Sequence, residues 1–398
     1  MTSNTVSVII VSRHRPEELR KCVRALEFQT FRNFEVVIVA DPDTAADLNN
    51  LVPVDRLKAV NCLEANISKA RNIGISQSAG DIVAFIDDDA IAEPTWLERL
   101  ISPLIDTRVA ATGGYVRGRN GISLQWGAEE IDRDGVSHPI IVDAEAAPDR
   151  AIKTQGTNCA FRRNVLIELG GFDENFHFYL DEADVNFRIG QSGRATAIVP
   201  EAEVQHGFAR SSLRGADRRP RSLFEIGASQ AYYVSKHAGS EASLESFKKK
   251  QWRRLEEALV QGLLEPRDVR RLWSELEAGM ATGQDRLPVP PKKWLEPSPF
   301  KRFVSETAVG AHRYLSGRRM TQRHIFALAA ELSRSGTACT AIILSSTGLF
   351  HRRWFHVDGF WVQSGGVFGK SSRSDSIWAW YTREDRIRRE QELLGQTR

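Results

Sequence analysis

The chain of 398 residues holds four cysteines, Cys22, Cys62, Cys159 and Cys339, and no two of them share a CxxC spacing. That excludes a disulfide framework or a zinc ribbon and leaves reduced thiols as the expectation. Long apolar runs are missing as well: nothing approaches the roughly 18 residues that a membrane-spanning helix needs. Met1–Arg13 lacks the apolar core of a secretory signal, so the expected location is cytoplasmic. There is no internal repeat and no recognised nucleic-acid-binding motif, so no nucleic acid is expected as a partner. The loop after the first apolar run, Ser12-Arg13-His14-Arg15, has none of the glycines that a nucleotidyltransferase phosphate loop would need. What is present is ordinary for a globular protein: 41% hydrophobic and 26% charged residues, enough for a core and too apolar for a disordered chain.

The net charge of +3 conceals an asymmetry. Residues 1–206 carry 21 Lys+Arg against 31 Asp+Glu, whereas residues 207–398 carry 33 against 20. An acidic front and a basic rear point to different partners. The rear reads either as solvated helix faces or as a surface for anions, an anionic membrane or a lipid-diphosphate acceptor.

Along the first two hundred residues, short apolar runs alternate with helical spacing. Val6–Val11, Glu35–Ala40 and Asp81–Ile86 read as buried strands, and Asp41-Pro42-Asp43 reads as a turn. Pro16–Thr30, Lys69–Ser78 and a stretch opened by Pro94 read as helices. This repetition predicts an α/β fold with a mainly parallel sheet between helices, and ligands at the carboxyl ends of its strands. Arg162–Leu169 and Asp181–Gln191 read as further helices. Residues 213–286 read as a helical extension, and 287–299, with five prolines, as a linker. Residues 300–398 read as helical to Leu332, then as a small β-rich basic tail over Ala341–Phe368.

Three segments could carry chemistry. Asp87-Asp88-Asp89 ends an apolar strand, and clustered carboxylates repel unless a cation sits among them. Oxygen ligands suit Mg²⁺ or Mn²⁺; the plainer reading is a solvated acidic turn. Asp181-Glu182-Ala183-Asp184 opens a helix, with Asp184 and Arg188 placed for an i,i+4 ion pair on its surface. Either this is a charged first turn, or it presents a general base at the helix mouth. His206 ends a strand and by itself reads as structural. Trp96 reads equally as a sugar-stacking ring and as a core anchor. Trp354, Phe355, Phe360 and Trp361 read first as interior of the tail and second as a membrane-inserting face.

Taken in order, these features resemble glycosyltransferase family 2 over residues 1–212. The resemblance rests on Val6–Val11 with Ser12-Arg13-His14-Arg15, Asp41 after the second strand, Ala70-Arg71-Asn72, Gly80-Asp81, Phe85–Ala90, Gly156-Thr157-Asn158, Gly170–Glu174, the Asp181–Asp184 helix and His206. It implies a GT-A fold, Rossmann-like, and inverting transfer from a nucleotide-sugar donor, UDP-linked by preference, to a glycan or lipid-linked acceptor. By the same resemblance Val11, Ser12, Arg13, Asp41 and Arg71 line the nucleotide pocket. Asp87 and Asp88 face the donor, Asn158 contacts donor sugar or acceptor, and Asp89 with His206 holds Mg²⁺ or Mn²⁺. Glu182 or Asp181 is the base; the family's usual pair reads Glu-Asp, the reverse of the order here. The alternatives are an inactive nucleotide-sugar-binding module and a sugar-phosphate nucleotidyltransferase. An acceptor at the inner membrane face would bring the protein into peripheral contact with anionic lipid.

Overall fold

The computed structural model describes residues 4–51, 56–210, 215, 219–288, 294, 296–305, 307 and 312–395. The amino-terminal half runs β1 (Val6–Ser12), α1 (Pro16–Leu26), β2 (Phe34–Ala40), α2 (Pro42–Leu51), β3 (Lys58–Asn61), α3 (Ile67–Gln77) and β4 (Ile82–Asp87). It continues through β5 (Ala90–Ala92), α4 (Trp96–Ile101), β6 (Val109–Arg117), β7 (Leu124–Trp126), β8 (Glu129–Asp132), β9 (Ser137–Pro139) and β10 (Arg150–Lys153). β11 (Asn158–Arg162), α5 (Arg163–Glu168), α6 (Asp181–Gln191) and β12 (Ala195–His206) complete it.

The main sheet has the order β3-β2-β1-β4-β11-β6-β12-β5, with β7 on the side of β6. β3, β2, β1 and β4 are mutually parallel; β1, β2 and β4 are almost wholly buried, as expected of strands covered on both faces, and β3 is the more exposed edge. From β4 onward the sheet is mixed: β11 runs antiparallel to β4 and β6, and β12 runs parallel to β6. Strand–helix alternation foretells only the first half, because β6 to β11 follow one another with no helix between them.

Local chemistry explains the helix starts. Pro16 occupies the first turn of α1, whose buried face is Leu19, Cys22, Val23 and Leu26. Asn66 caps α3 by accepting from the Lys69 amide at 3.0 Å. Asp41-Pro42-Asp43 is not a turn but the start of α2. The Asp41 carboxylate accepts from the Thr44 amide at 3.1 Å and the Thr44 hydroxyl at 2.7 Å, and Pro42 opens the helix.

The rear half contains α7 (Phe224–Lys236), α8 (Glu241–Val260) and α9 (Pro266–Gln284). α7 and α9 meet through glycines: a Cβ on Gly279 would lie 2.0 Å from the Phe224 carbonyl oxygen, and one on Gly283 2.1 Å from that of Ala228. The helical reading of Phe300–Leu332 holds only in its last part. β13 (Arg313–Gly317) precedes α10 (Gln322–Arg334), because pairing with β14 (Cys339–Ser345) overrides local helix preference. Apart from a three-stranded sheet ordered β10-β8-β9, these strands with β15 (Arg352–Phe355) and β16 (Trp361–Gly366) form a four-stranded sheet ordered β13-β14-β16-β15, followed by α11 (Arg383–Gly395). Phe355, Phe360 and Trp361 are buried and Trp354 packs against the same core, so these rings are interior.

In the proline-rich stretch, Trp294 packs beside the core under β1 and β4, and the Ser298 hydroxyl bonds the Gln77 carbonyl at 3.2 Å. Pro290 and Pro291 lie outside the described residues. No described helix is long and apolar enough to cross a membrane.

Candidate active site

β1 and β4 lie side by side with Val11 opposite Asp87, so the loop after β1 and the aspartate triplet emerge at one sheet edge. The triplet divides by direction. Asp88 turns inward: it accepts from the Ser12 hydroxyl at 2.7 Å and pairs with Arg15 at 2.8 Å. Burial pushes its carboxyl up to about 7 against the pull of Arg15. The Asp88 carboxylate and the Ser12 hydroxyl therefore tie the loop to the strand. Asp87 is half-exposed, and Asp89 sits under the end of β12. There Asp89 accepts from the Ala209 amide at 2.7 Å and lies 3.3 Å from His206 Nε2. Burial raises the Asp89 carboxyl, but His206 and the Ala209 amide outweigh it and hold it below the ordinary range.

Asp87, Asp89 and His206 present ligand atoms within 4.8 Å of one another. Two carboxylates and an imidazole form a hard donor set that fits Mg²⁺ or Mn²⁺. His206 Nδ1 meets Gln125 Oε1 at 3.2 Å, which orients the ring and leaves Nε2 toward the aspartates. Its ring is flanked by Trp126 and Phe208. Among the described residues one other group of this kind exists, His14, Asp41 and Asp43. Within it Asp41 also accepts the His14 amide at 2.8 Å. Burial raises the Asp41 carboxyl, and the Thr44 and His14 hydrogen bonds more than reverse it.

Arg71 joins the two acidic stretches. Its guanidinium is almost wholly buried, donates to the Asp181 carboxylate and to the Gly156 carbonyl at 3.1 Å, and stands 3.9 Å from Asp87. Gly156 makes room, since a Cβ there would lie 2.6 Å from the guanidinium. Burial dominates at Asp181 and raises its carboxyl despite Arg71. Glu182, next in the first turn of α6, is half-exposed. Asp184 is not on the surface. It is fully buried and holds Arg188 at 2.8 Å, Lys236 at 2.7 Å and His237 at 3.0 Å, binding α6 to α7.

Asn158 is enclosed. Its side chain is buried and used up internally: it accepts from Trp96 Nε1 at 2.8 Å and donates to the Tyr115 and Ala202 carbonyls at 2.9 and 2.8 Å. It ties β11 to α4, β6 and β12, and Trp96 is fully buried in the core. Arg13 spans to the Leu63 carbonyl at 3.2 Å. Arg15 carries no assignment from the sequence, yet it neutralises Asp88 and approaches Asp89 at 3.9 Å. Its only signal is a cation in the loop after β1.

Strain gathers here too. His14, Tyr179, Leu180 and Phe208 have φ of 55°, 78°, 65° and 57°, unusual for residues with a side chain, and they bracket the strand ends and the start of α6.

Comparison with known proteins gives this geometry a family. Residues 3–222 match the family described as "Glycosyltransferase like family 2". A glucosyl-dolichyl phosphate glucuronosyltransferase of Haloferax volcanii is 30% identical over 227 residues, covering 50% of this chain and 68% of that protein. The succinoglycan biosynthesis protein ExoM of Rhizobium meliloti is 37% identical over 244 residues, 56% of this chain and 74% of its own. A solved mannosyltransferase of Pyrobaculum calidifontis, in complex with GDP-Man and Mn²⁺, overlaps 71% of this chain and 88% of its own at 16% identity. Its TM-score is 0.44, too loose to bear on the chemistry. The α/β sheet with its strand-end cleft agrees with the GT-A fold, and the chain belongs to glycosyltransferase-like family 2: it is a glycosyltransferase.

Proposed function

We propose that the protein transfers a sugar, with inversion, from a nucleoside-diphosphate donor to a hydroxyl of a glycan or lipid-linked acceptor. The observation that carries this reading is Arg71, whose one guanidinium reaches both Asp87 and Asp181. The triplet and the acidic helix start thus meet at one guanidinium, which supports a displacement with a leaving-group side and a base side.

The nucleotide lies over the loop after β1, against the backbone of Val11–Arg13 and the edge of Asp41. The diphosphate faces Asp87, Asp89 and His206, which would hold Mg²⁺ or Mn²⁺. When bound, such an ion supplies positive charge against the departing diphosphate. Arg71 and Arg15 offset the four carboxylates Asp87, Asp88, Asp89 and Asp181, so the site does not repel an anionic donor outright.

On the other side a carboxylate takes the proton of the acceptor hydroxyl as its oxygen bonds the anomeric carbon. The carbon–diphosphate bond breaks, and the leaving group keeps the electron pair. Glu182 is the better base: Asp181 is buried and occupied by Arg71, whereas Glu182 is half-exposed. A single base opposite the leaving group turns an α-linked donor into a β-linked product.

The test is a panel of UDP-, GDP- and dTDP-sugars with Mn²⁺ and glycan or glycolipid acceptors. Transfer from at least one donor, lost in Asp89→Ala, is the expected outcome. Metal-dependent donor binding with no transfer to any acceptor would instead favour a binding module, and full activity in Asp89→Ala would refute the mechanism.

A further inference from the structure

The rings near Arg352 that the sequence offered to a membrane are interior, but other large apolar side chains of the same sheet stay in solvent. Leu349, Phe350, Ile377, Trp378 and Trp380 are 57, 61, 76, 49 and 81% exposed. They stand on two loops, one between β14 and β15 and one between β16 and α11, that are fastened to each other. The Gly366 amide donates to the Leu349 carbonyl at 2.8 Å, and the Phe368 amide to that of Thr347 at 3.1 Å. A Cβ on Gly348 would meet the Trp378 ring at 2.8 Å, so the tryptophan lies on the first loop. Phe368 stacks on Trp378 with centroids 5.1 Å apart, and Trp380 stands edge-on to both.

The polar groups around this patch are cationic. Residues 346–383 contain five Lys/Arg and two Asp. Arg353 is engaged by Gln363 and Glu390, and Arg383 by the Leu344 carbonyl. Asp375 is consumed by Arg389 and the amides of Ser371 and Ser372. Among the described residues no carboxylate pairs with Arg352, Lys370 or Arg373. The Lys370 carbonyl accepts from the His351 amide at 2.8 Å, which sets Lys370 beside Phe350.

We propose that this face docks on an anionic lipid bilayer, its aromatic and aliphatic tips entering the headgroup region while Arg352, Lys370 and Arg373 meet lipid phosphates. Tryptophan and phenylalanine at loop tips suit a boundary that is apolar below and wet above. A sugar platform fits less well: the Trp378 face is already covered by Phe368, and Leu349 and Ile377 offer nothing to hydroxyls. A second copy fits less well too, because a two-fold contact would set the unpaired cations against their own copies.

The face also communicates with the cleft. The Arg353 carbonyl accepts from Gln205, the neighbour of His206, at 2.6 Å, and its amide donates to the Asn120 carbonyl at 2.8 Å. Docking would thus hold the donor site close to lipid.

The experiment is co-sedimentation of the full chain with vesicles of equal parts phosphatidylglycerol and phosphatidylcholine, and with phosphatidylcholine alone, without donor or acceptor. Wild type is expected on the anionic vesicles. Binding should weaken at least about tenfold in Phe350→Ser/Trp380→Ser, with its lost apolar burial, and again in Arg352→Glu/Lys370→Glu/Arg373→Glu or at high salt. Equal sedimentation of wild type and both variants, or none of wild type, would overturn the proposal. So would a dimer that the serine variant dissolves, or retention on immobilised oligosaccharide without vesicle binding. Transfer to a soluble acceptor by the same preparations separates the two readings, since the patch lies outside the cleft. Intact transfer without vesicle binding sinks only the docking surface, and the converse sinks only the transferase mechanism.

Discussion

Two sheets that each combine parallel and antiparallel pairs belong to the two ends of this chain, and they treat buried charge in opposite ways. At the amino-terminal sheet, Asp87 and Glu182 stay partly exposed, Asp87 lies 3.9 Å from Arg71, and Asp89 lies 3.9 Å from Arg15. At the carboxy-terminal sheet, Glu390 is wholly enclosed. One oxygen takes the Ser371 hydroxyl at 2.7 Å beside Arg386 at 2.9 Å and Arg389 at 3.0 Å, and the other takes Gln363 at 2.6 Å. His351 closes the network through Gln363 at 2.7 Å. A carboxylate whose acceptor sites are all filled can only hold structure, whereas one left short of partners is ready for an ion or a proton. The lesson is that acidic residues at strand ends announce chemistry only when the surrounding donors do not suffice.

The comparison breaks most sharply under substitution. Asp89→Ala and Glu182→Gln should each lower kcat by about 10²–10⁴-fold while leaving thermal unfolding nearly unchanged. A matching loss of stability would mean the cleft carboxylates are structural after all. Glu390→Ala should do the reverse, costing about 3–5 kcal/mol in denaturant unfolding because Arg386 and Arg389 lose their buried partner. Transfer by the molecules that remain folded should persist.

Asp184 belongs to the enclosed kind although it lies in α6, two residues after Glu182. Burial raises its carboxyl, but Arg188, His237 and Lys236 outweigh this and hold it well below the usual range. Its folded value being the lower one, its stabilisation is complete above about pH 4 and is lost as the pH falls toward the depressed value. Urea unfolding followed from about pH 5 downward should therefore show a steeper loss in wild type than in Asp184→Asn. Parallel curves would contradict it. The smallest effect is expected at Gly283→Ala, where overpacking against the Ala228 carbonyl should cost about 1–3 kcal/mol.

The strands of the first sheet could be read directly, because continuous apolar runs such as Val6–Val11 and Glu35–Ala40 have little alternative to a doubly covered strand. Asp89 and His206 were legible as a pair only through their order within a family pattern, since nothing in one sequence says that residues 117 positions apart meet. A Gly-Thr-Asn turn looks open in sequence, and only the folded sheet shows Trp96 and two carbonyls filling the Asn158 amide. A triplet likewise gives no clue to which member turns inward, as Asp88 does. β13 escaped because a parallel partner twenty-six residues away decides it. The exposed ring cluster was invisible for the same reason: Trp354 and Trp378 look alike in sequence, and burial alone separates them.

The central claim is most directly tested by a structure of the protein soaked with UDP and Mn²⁺. The account predicts one ion between the diphosphate and Asp89 with His206, Asp87 alongside, and the Glu182 carboxylate facing the open side of the same pocket. An ion held instead by His14, Asp41 and Asp43, or a diphosphate turned away from the start of α6, would contradict it.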